Sequence, residues 1–180
     1  EKIKQSEWKP DYGTDVFNVT AGATVIGARD FLIAYNINLN TTSTRIANRI
    51  AFDVRENGRV LREGNPYTGK IVTDEAGETV REPGSCKAVK AIGWYIDEYK
   101  VAQISANLMN YKITSIHKFF DEVEKSAVSR GVRITGSELV GLIPLQALLD
   151  AGKHYLLKQG RPIGISDEEI IHIDVKTLGL

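Results

Sequence analysis

Side chains able to do chemistry are few in this chain and widely separated. His117, His154 and His172 are the three histidines, and none belongs to an HExxH pair. His117 and His154 fall off the apolar stripes of the helices expected to carry them, so they read as surface histidines rather than metal ligands. Cys86 is the only cysteine. It excludes an intrachain disulfide and a Cys-rich zinc site. With no base or orienting group in sequence reach, it reads as an inert exposed thiol. Gly13, Gly22 and Gly27 lack the spacing and the strand-to-helix context of a dinucleotide loop, and no Walker A string occurs. Arg49 and Asp53 stand four apart, the spacing of an intrahelical ion pair. The residues themselves assign no catalytic side chain and no metal.

What remains is a set of amides and hydroxyls whose placement depends on the elements. DFLIAYNINLN alternates with period two and predicts a strand carrying Asn36 and Asn38 on one face. Thr41, Thr42 and Ser43 are N-cap candidates for a helix with Ile46, Ala47, Ile50, Ala51 and Val54 inward. Residues 59–87 hold Gly64, Gly69, Gly77 and Gly84 with Pro66 and Pro83; they predict a long surface loop, with a short hairpin near Glu75–Gly77. AVKAIGWYI and VAQISANLM predict a hairpin, the second strand placing Gln103, Ser105 and Asn107 opposite its apolar face. Thr114–Ser115 opens a helix with Ile116, Phe119, Phe120, Val123 and Ala127 inward. VRITGSELVGL is a fourth strand, read with Arg133, Thr135 and Ser137 on the amide face. Pro144 opens a further helix at its favoured first position. Ser166 to Glu169 is a capping box for a short last helix or turn.

The order β-α-β-β-α-β with C-terminal helices predicts an α+β, ferredoxin-like sandwich with helices on one sheet face. Its other face is uncharged-polar, although Asn is depleted from strands in general. Two readings stand for that face. One is a covered surface that lines a ligand or meets a partner; the other is an ordinary solvated antiparallel face.

Composition sets outer bounds. The 180 residues carry 23 Lys+Arg against 23 Asp+Glu, so there is no cation excess to replace phosphate counterions and nucleic acid is not an expected partner. No apolar run reaches the ~18 residues of a membrane span, so no membrane partner is expected. EKIKQSEWKP has no apolar signal core, and a lone cysteine suits a reducing compartment; a cytoplasmic location is the expectation.

Four long strings, in order, resemble one known family. GATVIGARDFLIAYNINLNT, AIGWYIDEY, AQISANLMNY and GSELVGLIPLQALLDA are similar to the second half of the formiminotransferase module of glutamate formimidoyltransferases and formimidoyltransferase-cyclodeaminases. WKPDYG resembles the entry to that half and KTLGL its exit. The resemblance covers nearly the whole chain, except residues 59–87, and implies one C-terminal subdomain over 1–180, with 1–27 as lead-in and folate-contacting segment. Residues 59–87 form a loop insertion, longer here than in the fused animal-type form.

The resemblance implies transfer of the formimino group of N-formimino-L-glutamate to tetrahydrofolate, in histidine degradation. It implies two similar ferredoxin-like halves whose sheets face each other across a folate tunnel. The partner would be the N-terminal subdomain, with a homodimer left open. The family's acid–base histidine belongs to that first half, in an HPRMG-type string absent here, so this chain alone is expected to be inactive. The absent initiator Met fits the same expectation.

The implied folate segment comprises Gly13, Thr14, Asp15, Val16, Phe17, Asn18, Val19, Thr20, Ala21 and Gly22. Its end glycines and Phe17 match the family; the animal form has prolines and a Trp where Thr14, Val19 and Ala21 stand. Asp53 aligns with a further folate position that carries an amide in the animal form. Arg29, Asn36, Asn38, Gln103 and Asn107 would line the tunnel. Arg29, Arg45 or Arg49 would give local positive field for anionic substrates. The competing reading is a non-enzymatic ferredoxin-like binding or assembly module, because fold does not fix function.

Overall fold

A computed structural model describes residues 5–14 and 16–180. The elements run β1 (Ile33–Leu39), α1 (Thr44–Val54), β2 (Arg59–Val60), β3 (Arg81–Glu82), β4 (Val89–Ile96), β5 (Val101–Leu108), α2 (Ile116–Val128), β6 (Ile134–Val140), α3 (Leu145–Lys158) and α4 (Asp167–Leu178). Four strands form one sheet in the order β4-β5-β1-β6, and every neighbouring pair is antiparallel. The chain is thus an α+β protein with an antiparallel sheet and four helices.

Strict alternation in β1 buries Ile33, Tyr35, Ile37 and Leu39 on one face. The helices α1 and α2 supply the other half of that core. Ala47, Ile50, Ala51 and Val54 of α1 are buried, as are Ile116, Phe119, Phe120, Val123 and Ala127 of α2. Phe119 meets Tyr35 edge-on, with ring centroids 6.3 Å apart. Ser43 is the cap of α1: its hydroxyl accepts from the Ile46 amide at 3.3 Å.

The edge strand β4 is sealed by α1. Asn48 donates its side-chain amide to the Gly93 carbonyl at 2.8 Å and accepts from the Gly93 N–H at 3.1 Å. The Arg55 guanidinium donates to the Ala91 carbonyl at 3.4 Å, and the Glu56 amide donates to the Val89 carbonyl at 3.0 Å. Alternate carbonyls of the outer edge are therefore satisfied by the helix and its exit, which removes a template for strand pairing.

Residues 59–87 are more ordered than the sequence suggests. β2 and β3 pair as a second, two-stranded sheet, with further bridges Arg62–Ile71 and Thr73–Thr79. The expected hairpin turn is present: Asp74 Oδ1 accepts from the Ala76 and Glu78 amides, and Gly77 takes φ +82°. Cross-strand hydrogen bonds hold this excursion, which is why apolar periodicity did not announce it.

The C-terminal helix is longer than expected. Ser166 caps α4 as the capping box predicts. A second small core of Leu149, Leu156 and Ile170 joins α4 to α3. Gly152 permits the close approach, since a Cβ there would stand 2.6 Å from the Ile170 carbonyl oxygen. The end of α4 is tied to β6: the Ser137 amide donates to Gly179 O at 2.9 Å and its hydroxyl donates to Leu178 O at 2.7 Å. Tyr35 OH donates in turn to Ser137 Oγ at 2.9 Å. Ser137 therefore lies on the core side, which corrects its placement on the amide face. A register shift at Asn38/Leu39 changes the phase of β6 and puts Gly136, Glu138 and Val140 outward instead.

Asp174 on α4 is fully buried, and neither carboxyl oxygen has a hydrogen-bond partner among the described residues. Burial pushes its pKa up to about 7. An unfolded aspartate titrates near 3.9. Between about pH 4 and pH 7 the folded chain then binds more protons than the unfolded one, so this group costs stability as pH rises through that window. Asp174→Asn is expected to raise the urea midpoint at pH 8 and to flatten the loss between pH 4 and pH 7. Superimposable pH profiles for parent and variant would refute this.

Candidate functional site: the outward sheet face

Strand register sets the site. On the face away from α1 and α2, three rows run across the sheet. Trp94, Gln103, Asn38 and Gly136 form one, Ile92, Ser105, Asn36 and Glu138 the next, and Lys90, Asn107, Ala34 and Val140 the third. The structure brings Asn36, Asn38, Gln103 and Asn107 onto one surface, as their alternation requires.

Within it the amides differ. Gln103 is fully buried and fully engaged. Its Oε1 accepts from the Trp94 indole N–H at 2.9 Å, and its Nε2 donates to Asn38 Oδ1 at 2.8 Å and to Glu138 Oε2 at 3.2 Å. This network fixes one end of the face and uses both Nε2 donors of Gln103, whose side chain is closed to solvent. Asn36 and Asn107 make no side-chain hydrogen bond among the described residues, and Asn107 is exposed. Ile92 and Val140 beside them are 55% and 56% exposed. The face thus combines available amide donors and acceptors with apolar side chains, the pairing typical of a site for a polar, flat ligand. Glu138 was not found from sequence because the bulge in β6 reverses its facing.

The implied folate segment lies on an extended arm. Gly13 and Gly22 both take positive φ, +91° and +71°, which suits glycine at these two turns. Asn18 Oδ1 accepts from the Thr20 and Ala21 amides at 3.0 and 2.8 Å, and the Gly22 amide donates to Asn18 O at 2.8 Å. Thr14, Val16, Phe17 and Val19 are exposed, Val19 to 88%. Asp15 lies outside the described residues. Arg29 is exposed on the same arm, its guanidinium donating to Asp30 O at 3.4 Å.

Asp53 is on α1, on the opposite side of the sheet from the amides. It does not pair with Arg49. Its carboxylate binds Arg59 through Oδ1 and takes Arg130 (2.5 Å) and the Ser126 hydroxyl (2.6 Å) on Oδ2. Arg49 lies instead over the Tyr67 ring, 3.6 Å from its centroid. Arg45 and Arg49 line a cavity beside α1, remote from the amide face.

Two other expectations change. Cys86 is buried in the core, not exposed, and burial raises its thiol pKa. His117 and His154 are half-buried and stacked on each other across α2 and α3, centroids 4.4 Å apart. His117 Nε2 meets Ser115 Oγ at 2.9 Å, and His154 Nε2 meets Asp121 Oδ2 at 3.0 Å. Burial, then the neighbouring His154, pushes the His117 pKa down to about 4. The pair is a helix–helix contact made from two residues that fall off their apolar stripes.

The geometry defines an α+β protein with one sheet face covered by helices and the other open and amide-bearing. Residues 34–180 match the formiminotransferase domain, and the chain belongs to that family. It is 44% identical over 180 residues to the formimidoyltransferase-cyclodeaminase of Sus scrofa, an alignment that takes in 100% of this chain and 29% of the relative. The glutamate formimidoyltransferase of Thermoplasma acidophilum is 38% identical over 160 residues, 89% of this chain and 44% of the relative. That of Streptococcus pyogenes serotype M1 is 34% identical over 156 residues, 87% and 44% respectively. The chain spans less than half the length of these relatives. Among the described residues, no helix is long and apolar enough to cross a membrane.

Proposed function

We propose that this chain is the folate-binding half of a glutamate formimidoyltransferase, working with an N-terminal subdomain to pass the formimino group of N-formimino-L-glutamate to tetrahydrofolate. The observation that carries this reading is the open sheet face with the available amides of Asn36 and Asn107. A pterin edge presents both donors and acceptors, and a side-chain amide answers both. The strand order β4-β5-β1-β6 supports a ferredoxin-like half built to meet a second sheet. The exposed apolar side chains of the arm, Phe17 and Val19 among them, are consistent with a lead-in segment that a second lobe covers. Its turns at Gly13 and Gly22 are the end positions of the folate segment in this reading.

The reaction moves an amidine carbon between two nitrogens. It needs both substrates aligned, and alignment alone supplies several powers of ten in rate. This half contributes that positioning. The proton for the departing amine comes from a histidine on the other half. The setting would be cytoplasmic one-carbon metabolism and histidine degradation.

Calorimetric titration of the intact protein with 5-formyl-tetrahydrofolate tests the reading. Asn36→Ala and Asn107→Ala are each expected to weaken binding about fivefold to tenfold, the worth of a lost hydrogen bond. Their melting temperatures should stay near the parent's. Loss of stability with unchanged affinity would favour the assembly-module reading.

A further inference from the structure

Beside α1, on the side of the molecule away from the amide face, lies a cavity of about 540 Å³ roofed by the 59–87 excursion. Six arginines line it: Arg45, Arg49 and Arg55 from α1 and its exit, and Arg59, Arg62 and Arg81 from the excursion. No carboxylate is among the lining residues. Of these six arginines, only Arg59 has an ion pair among the described residues, with Asp53 and, at 4.0 Å, Glu82.

Three of the other guanidinia, those of Arg49, Arg55 and Arg62, are positioned by uncharged groups. Arg49 lies over Tyr67, and Arg55 lies 4.2 Å from the centroid of Phe52 while its Nε donates to Gly58 O at 2.9 Å. Arg62 donates to Gly69 O at 2.7 Å. Rings and carbonyls orient a guanidinium without cancelling its charge. Burial and then the charge of Arg81 lower the pKa of Arg55, in keeping with a concentration of uncompensated positive charge.

We propose that this cavity is a binding site for a small linear oligoanion, with an oligophosphate as the ligand class. The guanidinium fork pairs bidentately with phosphate oxygens. Arg45 and Arg55 stand at opposite ends of α1, roughly 15 Å apart along its axis, so the lining arginines are spread along the cavity rather than gathered at one point. Tyr67 and Phe52 each carry an arginine over one ring face, so these rings already serve to hold guanidinia. A ligand that satisfies the site therefore brings several charges in a row and needs no aromatic group. The inference does not depend on the folate reading, because the two sites lie on opposite sides of the sheet.

Calorimetric titration of the intact protein with tripolyphosphate, orthophosphate and citrate tests it, with thermal melting alongside. Tripolyphosphate is expected to bind at least tenfold tighter than orthophosphate and citrate and to raise the melting temperature. Arg45→Gln/Arg81→Gln removes two guanidinia that hold nothing in the fold among the described residues. It should melt like the parent and lose about tenfold or more in tripolyphosphate affinity. Arg161→Gln, in the α3–α4 connection, should lose none. Equal affinity for orthophosphate, equal weakening by Arg161→Gln, or an unaffected Arg45→Gln/Arg81→Gln would each overturn the proposal. Citrate binding more tightly than tripolyphosphate would overturn the phosphate assignment.

Discussion

Gly93→Ala is expected to destabilise the fold by about 3–5 kcal/mol, although it adds one methyl group to a strand. Gly93 faces α1 from the edge strand. A Cβ there would fall on the Asn48 amide nitrogen and the Ala47 carbonyl carbon, and would reach within 2.8 Å of the Ala47 Cβ. The first two are backbone atoms of a helix and cannot rotate away, so α1 must lift from β4. Overpacking by one or two methylenes typically costs about 1–3 kcal/mol when side chains can adjust. Here the lift would also strain the two hydrogen bonds between Asn48 and the Gly93 peptide, each worth about 1 kcal/mol. It would expose the small-residue seam of Ala47, Ala51 and Ala91 as well. Against a typical total of about 5–15 kcal/mol, the loss is a large part of the stability. Gly164→Ala is the control, because nothing stands within 4 Å of its added Cβ. Urea denaturation of both variants measures the effect. A Gly93→Ala midpoint equal to that of Gly164→Ala would show that α1 does not press on the strand as described.

The alternation in β1 and β5 and the apolar stripes of α1 and α2 reveal the sheet, its buried face and the amide set, because each depends on one element's own period. The phase of β6 was not legible. Ser137 and Glu138 exchange faces through a single-residue irregularity, and nothing in VRITGSELVGL marks it. In 59–87 only the hairpin turn near Glu75–Gly77 is legible; the β2–β3 pairing is not, since backbone hydrogen bonds carry it. The arginine cavity does have a signal in the sequence: six of the ten arginines fall between residues 45 and 81. Net charge hides such a cluster by summing it with acids elsewhere. Spacing along α1 pairs Asp53 with Arg49 four residues away, whereas its real partners are 6, 73 and 77 positions distant.

Those distant partners make Asp53 the second sensitive position. One carboxylate on α1 holds Arg59 at the start of β2, and Ser126 and Arg130 at the end of α2. The side chains of Asp53, Arg59 and Arg130 are each only about a fifth exposed, at 22%, 22% and 21%. Removing the acid leaves two guanidinia partly buried with no counter-charge, and that uncompensated charge is the main cost. Arg130 keeps its contacts to Ser126 O and Ser129 Oγ, at 3.0 and 3.1 Å, which softens the loss. Asp53→Ala is therefore expected to cost about 2–4 kcal/mol, the range for losing charged hydrogen bonds in a half-sheltered network. Because the network is sheltered, most of that cost should persist in 1 M salt. A double-mutant cycle with Arg130→Ala should return a coupling of at least about 1 kcal/mol. The cycle also separates the two roles open to Asp53. Both its oxygens are engaged within the protein, so the structural role predicts lost stability in Asp53→Ala with folate affinity of the folded protein retained. A direct ligand contact predicts the reverse pattern, with affinity lost in Asp53→Ala and retained in Arg130→Ala. A coupling energy near zero would mean that the three elements are not joined through this carboxylate at all.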